Sequence, residues 1–264
     1  MERESFDYGR SIGAVAMHHI LDSRRDRSFA SKLCALAIMT KAPRAGTVKT
    51  RLQPPLTAEE AAKLNVCFLR DIAAAIVTSG GDSKGVGVFT PVGSESEYVN
   101  VLPSDFILIP QRGDSFGERL TNAATDLLHV GFETCCLINS DSPTVTAGVF
   151  RQAVAKLQRA DNRIVLGPSD DGGYYLIGMR KVYRRLFEDI DWSTERVFSQ
   201  TLDRARELAI SVDVLPKFYD IDDATALQRL CGELLAEKTD DVAPATKEFL
   251  AELVARDGPE RFCQ

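Results

Sequence analysis

Leu33–Leu52, LCALAIMTKAPRAGTVKTRL, decides how the rest of the chain is read. Leu33 to Met39 is an unbroken apolar run, with the length and composition of a strand buried on both faces. The loop after it packs Lys41, Arg44, Lys49 and Arg51 into eleven residues with no acid among them, in a chain of net charge −6. Thr57-Ala-Glu-Glu60 then reads as the capping box of a helix. A buried strand, a basic loop containing Gly46 and a helix is the layout by which α/β proteins hold phosphate groups. The same residues would also suit a solvated connection, the bland reading of an isolated loop. A P-loop is excluded, because Val48 and Pro43 occupy positions that need glycine.

Downstream, strands and helices alternate. Strands are expected at 85–90, 106–109, 134–139, 163–166, 174–178 and 211–215. Helices are expected at 58–79, 115–130, 146–160, 181–188, 194–209, 224–237 and 244–256. Gly80-Gly81 and Gly131 supply helix stops. The pattern predicts an α/β fold: one doubly wound, mostly parallel sheet with helices on both faces. Residues 32–264 form a single domain in this reading. Residues 1–31 are a flexible N-terminal extension with one short helix near 11–22.

A hydrophobic content of 44% and a charged content of 27% fit a globular enzyme. The acidic balance argues against nucleic-acid binding, which needs a basic excess. The six cysteines form no Cys-x-x-Cys pair, and Cys34, Cys135 and Cys136 lie in apolar runs, as buried thiols of a cytoplasmic protein do. With only three histidines, a His-based metal site or a Ser-His-Asp triad is disfavoured. No apolar stretch approaches the ~20 residues that span a bilayer.

In a doubly wound sheet the ligand crevice lies beyond the carboxyl ends of the strands. Five groups stand there: Lys41–Arg51, Gln111–Arg119, Asp141, Asp170–Gly173 and Asp220–Asp223. Asp141 is either the cap of the following helix or a ligand for Mg²⁺ or Mn²⁺. Asp220 and Asp222 are further carboxylates for such an ion. Asp170-Asp171-Gly172-Gly173 is a tight turn that also lets backbone N–H groups approach a sugar or phosphate, with either Asp a candidate base. Trp192, the only tryptophan, is by default a core residue, with ring stacking as the minority reading; Ser193 would cap the next helix.

Six stretches carry a resemblance: KAPRAGTVKTRL, PQRGDSFGERLTNA, INSDSP, LGPSDDGGYYLIG, LFEDIDWST and YDIDDATAL. In this order the sequence resembles the GT-A-like transferases associated with radical-SAM and selenodomain proteins, within the nucleotide-diphospho-sugar transferase superfamily. The resemblance implies a Rossmann-like nucleotide-binding domain and a divalent metal, Mg²⁺ or Mn²⁺, held by Asp141. Because Asn139-Ser140-Asp141 lacks the first acid of an Asp-x-Asp, a second ligand would have to come from Asp220 or Asp222. The expected partners are a nucleotide or nucleotide sugar and a small acceptor. Lys41, Arg44, Gly46, Lys49, Arg51, Gln111, Arg119, Gly172 and Gly173 are the candidates for binding nucleotide and phosphate. Asp170, Asp171 and Lys49 are the catalytic candidates. Glycosyl transfer is the first expectation. Nucleotidyl transfer to a phosphorylated acceptor, with pyrophosphate release, is the second, and a nucleotide-binding protein without turnover the third.

Overall fold

The computed structural model describes residues 18–22, 32–159, 161–236 and 241–262. Its strands are β1 (His19–Ile20), β2 (Cys34–Lys41), β3 (Ser83–Thr90), β4 (Ile107–Pro110), β5 (Thr134–Ile138), β6 (Arg163–Pro168), β7 (Tyr174–Met179) and β8 (Ser211–Val214). They form one sheet in the order β1-β4-β3-β2-β5-β7-β6-β8. Only β7 runs against its neighbours, β5 and β6; the other pairings are parallel. The expected α/β class and mostly parallel sheet are what the chain adopts.

The helices are α1 (Ala58–Ser79), α2 (Phe116–His129), α3 (Ala147–Leu157), α4 (Val197–Glu207), α5 (Ala224–Leu235) and α6 (Pro244–Asp257). Alternation along β2 divides the core. Cys34, Leu36 and Ile38 pack with Leu69 and Ile72 of α1 and Phe150 of α3. Ala35 and Ala37 pack with Leu120, Ala124 and Leu127 of α2 and with Ala205 of α4. Each fully buried Leu or Ile contributes about 1.5–3 kcal/mol, which is why β2 admits no polar residue before Thr40. A third cluster joins Leu64 and Phe68 of α1 to Leu227 and Leu230 of α5 and Leu250 and Leu253 of α6. Asp71 of α1 ties this layer down by accepting from the backbone N–H groups of Ala245 and Thr246, both at 2.9 Å.

The chain winds outward from β2 to β3 and β4 on one side and from β5 on the other, so the order reverses between β2 and β5. Their registers align through Ile38 and Ile138, and their carboxyl ends open the crevice that such a reversal creates.

Three expectations need correcting. Within the supposed extension, residues 18–22 are not helical: His19–Ile20 pair with β4, and Leu21 is buried. The rest of that expected helix lies outside the described residues. The 181–188 helix is one 3-10 turn, Arg184–Phe187. The helix expected from 194 starts at Val197 with Arg196 as its N-cap, so Ser193, at φ 65°, caps nothing.

Candidate active site

The Thr57 capping box forms as expected and starts α1, so the basic loop is held between two anchored elements. Within the loop Val48 is buried and Leu52 is fully buried. Lys49 adopts a left-handed backbone, φ 50°. That kink sends its side chain across the strand ends, where it is 6% exposed. The Lys49 Nζ donates to Asp141 Oδ1 at 2.6 Å, to the Ile221 carbonyl at 2.8 Å and to Asp222 Oδ1 at 3.2 Å. Asp141 follows β5, and Asp222 lies between β8 and α5, so three strand-end segments meet at one ammonium. The capping role for Asp141 is thereby excluded; Thr146 is the N-cap of α3, and Asp223 caps α5.

Asp220 sits deeper. Its Oδ1 accepts from Asn139 Nδ2 at 2.7 Å and from the Ser142 hydroxyl. Burial pushes its carboxyl up to about 6; the Ser142 and Asn139 bonds resist the rise, while Asp141 and Asp171 reinforce it. Burial also raises Asp222, against the pull of Lys49. A crowd of carboxylates therefore faces the crevice with incomplete compensation.

Three cavities meet here. The largest, about 530 Å³, includes Asp141, Asp171, Gly173, Trp192, Glu195, Asp220 and Asp222 in its lining. A second, about 300 Å³, lies between the 170–171 turn and Arg229. A third, about 250 Å³, is bordered by Lys41, Thr47, Lys49, Asn65 and Ser140. Arg51 borders all three.

Other candidates are engaged elsewhere. Arg44 is exposed and forks onto Glu97, with Nε 2.9 and 3.1 Å from the two oxygens. Gln111 bridges strands, donating to the Thr40 and Val88 carbonyls at 3.0 and 2.8 Å. Arg119 donates to the Gly113 carbonyl at 3.1 Å. These three, with Gly46 and Gly172, border none of the three cavities. Asp170 is claimed by Arg229 at 2.8 Å and Lys217 at 3.2 Å. Above all the Arg229 hydrogen bond holds its carboxyl below the usual carboxylate range, which makes it a poor base. Asp171 accepts from the Gly173 N–H at 2.9 Å and lines the main cleft.

Gly172 has a different task from the one expected. At φ +86°, a Cβ there would lie 2.2 Å from the Glu195 carbonyl oxygen. Its missing side chain lets the 191–196 loop close onto the turn, and the Phe198 N–H donates to the Gly172 carbonyl at 2.8 Å. That closure brings Glu195 beside Asp171.

Sequence reading also missed Ser142, Asn139, Glu195, Asn65 and Phe116. Phe116 begins α2, is 49% exposed and meets Trp192 edge-on at 4.9 Å. An exposed aromatic directly after the capping Ser115 was the available signal. Asn65 is a polar residue on the buried face of α1, and its Oδ1 has no hydrogen-bond partner.

The expected metal set of Asp141, Asp220 and Asp222 is not arranged as a trio. Lys49 takes Asp141 and Asp222, and among the described residues no group of three His, Cys, Asp or Glu side chains is placed to hold a metal. A pair remains: Asp141 and Asp220 are adjacent, joined through the Ile221 N–H to Asp141 carbonyl bond at 2.9 Å.

Comparison with known proteins agrees with the fold. Residues 77–194 match the family described as "Uncharacterized protein conserved in bacteria (DUF2064)". No curated protein matches the chain. A crystal structure from Desulfovibrio desulfuricans G20, provisionally described as a nucleotide-diphospho-sugar transferase, is similar at TM-score 0.76 and 26% identity, over 86% of this chain and 98% of that one. CMP:2-keto-3-deoxy-manno-octonic acid synthetase complexed with CTP is similar at TM-score 0.51 and 9% identity, over 78% of this chain and 100% of that one. A cytidylyltransferase from Leptospira borgpetersenii serovar Hardjo-bovis is similar at TM-score 0.50 and 11% identity, over 88% of this chain and 97% of that one. The chain has the α/β fold of a class of nucleotide-using transferases. Within that class, the similarity is greatest in this group to the Desulfovibrio protein.

Proposed function

We propose that this protein is a transferase that uses a nucleotide-activated donor and moves a sugar from a nucleotide sugar to a small hydroxyl acceptor. One observation carries the reading: Lys49 is buried between Asp141 and Asp222, beside Arg51, at the strand-order reversal. The ammonium also stands 5.3 Å from the centroid of the buried Phe68 ring. A buried ammonium shared by two half-exposed carboxylates is a preorganised electrostatic site.

The donor's diphosphate occupies the 250 Å³ cavity against Lys41, Lys49 and Arg51. The acceptor hydroxyl lies in the larger cleft near Asp171. Its oxygen bonds to the sugar's anomeric carbon as the bond to the diphosphate breaks. The electron pair leaves with the diphosphate, and the hydroxyl proton passes to the Asp171 carboxylate. Asp170, neutralised by Arg229 and Lys217, orients the turn instead.

Mg²⁺ or Mn²⁺ fits the hard oxygen donors of Asp141 and Asp220, which would hold it together with donor phosphates. Such an ion would offset the surplus of acid and neutralise charge on the departing diphosphate. The same reading places the chain with the radical-SAM- and selenodomain-associated transferases that its six stretches resemble. It also places the protein in the cytoplasm, where the buried thiols of Cys34, Cys67, Cys135 and Cys136 stay reduced.

Nucleotidyl transfer is the second reading, favoured by the three cations around the small cavity, which suit a departing pyrophosphate. Incubation with Mg²⁺, nucleotide sugars and nucleoside triphosphates decides between them. Release of nucleoside diphosphate from a nucleotide sugar is expected. Pyrophosphate release from a triphosphate would replace sugar transfer with nucleotidyl transfer, and neither product with any donor would overturn both.

A further inference from the structure

The charges around the crevice are unevenly distributed. Five carboxylates line the 530 Å³ cleft, those of Asp141, Asp171, Glu195, Asp220 and Asp222, against one cation, Arg51. Lys41 and Lys49 border the 250 Å³ cavity, which shares Arg51, Asp141 and Asp222 with the cleft, and Lys49 already serves those two acids; Asp171, Glu195 and Asp220 line the cleft and not that cavity. Apolar surface completes the large cleft: Phe116 and Trp192 both line it, their ring centroids 4.9 Å apart at 83°. The first residue of a helix has no packing need for an aromatic, yet Phe116 stands there 49% exposed. A phosphorylated molecule entering this cleft would face Asp171 and Glu195, which neither Lys49 nor the Asp141–Asp220 pair engages, and like charges repel. Hydroxyls can donate to those same oxygens, and the C–H face of a polyol or an ammonium group suits the aromatic rings.

We infer that the acceptor is an uncharged or cationic polyhydroxylated molecule, not a phosphorylated one. It is seated on Phe116 and Trp192 with its hydroxyls donated to Asp171 and Glu195. The inference rests on the transferase reading and names that reaction's acceptor class. It also separates donor from acceptor: the donor diphosphate is met by Lys41, Lys49 and Arg51, with any metal on Asp141 and Asp220, and the neutral acceptor by Asp171 and Glu195.

Trp192 is the only tryptophan in the chain, so its emission reports directly on this cleft. The full-length protein is titrated with matched probes, glucose against glucose 6-phosphate and glycerol against glycerol 3-phosphate, with glucosamine as the cationic case. Binding of nucleoside diphosphates is measured in parallel by calorimetry. Neutral and amino probes are expected to shift Trp192 emission, with each phosphorylated counterpart at least about tenfold weaker. Phe116→Ala should weaken the neutral probes by about tenfold, and Glu195→Gln should narrow the gap between each matched pair. Phosphorylated probes that bind as well as their neutral partners, or a Trp192 signal that no probe moves, would overturn the acceptor inference while nucleotide binding persists. Failure of every nucleoside diphosphate to bind would instead overturn the transferase reading and the inference with it.

Discussion

Two ion clusters flank α1, each built from acidic and basic side chains, with opposite results. At the crevice a lysine is buried, 6% exposed, between Asp141 and Asp222, which remain 33% and 42% exposed. At the start of α1 the acid is buried instead: Glu60, 9% exposed, takes Arg256 and Arg261, the second at 2.6 Å, with Asp257 closing the group. The helical cluster is complete, since Glu60 receives the Thr57 N–H and both arginines. In the crevice Asp141 and Asp222 keep oxygen surface toward the cavities, and acids outnumber cations. Charge alone does not mark a functional site. What distinguishes this one is unspent hydrogen-bonding capacity beside an open volume.

The largest test of that contrast is Lys49→Met. Removing the central ammonium should lower turnover by about 10²–10³, equivalent to ~2.7–4 kcal/mol of transition-state stabilisation. Unchanged kcat/KM would take Lys49 out of the chemistry. Gly172→Ala comes next. The positive φ and the close approach of Glu195 should together lower stability by about 2–3 kcal/mol, read as denaturant midpoint, with loss of activity as the 191–196 loop moves out. On the helical side, Asp71→Ala removes the two backbone bonds that start α6 and should cost about 2 kcal/mol with kcat/KM unchanged.

Legibility followed how local the cause was. The apolar run of β2, the Thr57 capping box and the alternation of strands with helices depend on neighbouring residues, and all were readable. Lys49 and Asp141 were readable as strand-end residues, because doubly wound topology brings those ends together. The direction in which each side chain turns was not. Arg44 finds Glu97, 53 residues away, and Gln111 turns back onto strand carbonyls. Asp170 is captured by Arg229, 59 residues on. The role of Gly172 depends on a loop more than twenty residues later, so its turn chemistry was visible but its tertiary contact was not. The β1 pairing involves two residues, too few for any periodic signal.

Two smaller effects sharpen the contrast between the clusters. Asp220→Asn keeps an acceptor for Ser142 and Asn139 while removing a buried charge that stands at a disadvantage. It should raise the melting temperature by the equivalent of about 1 kcal/mol while lowering activity, the usual exchange at a strained site. A fall in melting temperature would mean that the Asp220 charge stabilises the fold. The helical cluster has the opposite sign. The Arg256 hydrogen bond holds the Asp257 carboxyl at about 2. Glu60 is also held below its usual range: burial opposes ionisation, but Thr57, Arg261 and Arg256 outweigh it. Both folded values lie below the unfolded ones, so this stabilisation is complete above about pH 4. It is lost as pH falls toward about 2. Arg261→Ala should flatten this acid limb while changing stability at neutral pH by less than about 1 kcal/mol; an unchanged limb would contradict the pairing.

The most direct measurement is calorimetric titration of the common nucleoside diphosphates, with Mg²⁺ present, into the wild-type protein and Arg51→Ala. Among the residues that border all three cavities, Arg51 is the one cation. Convergence of cations and carboxylates on one diphosphate predicts saturable binding of at least one nucleotide, weakened about tenfold or more without Arg51. Equal affinity in the two proteins, or no binding to the wild type, would contradict it.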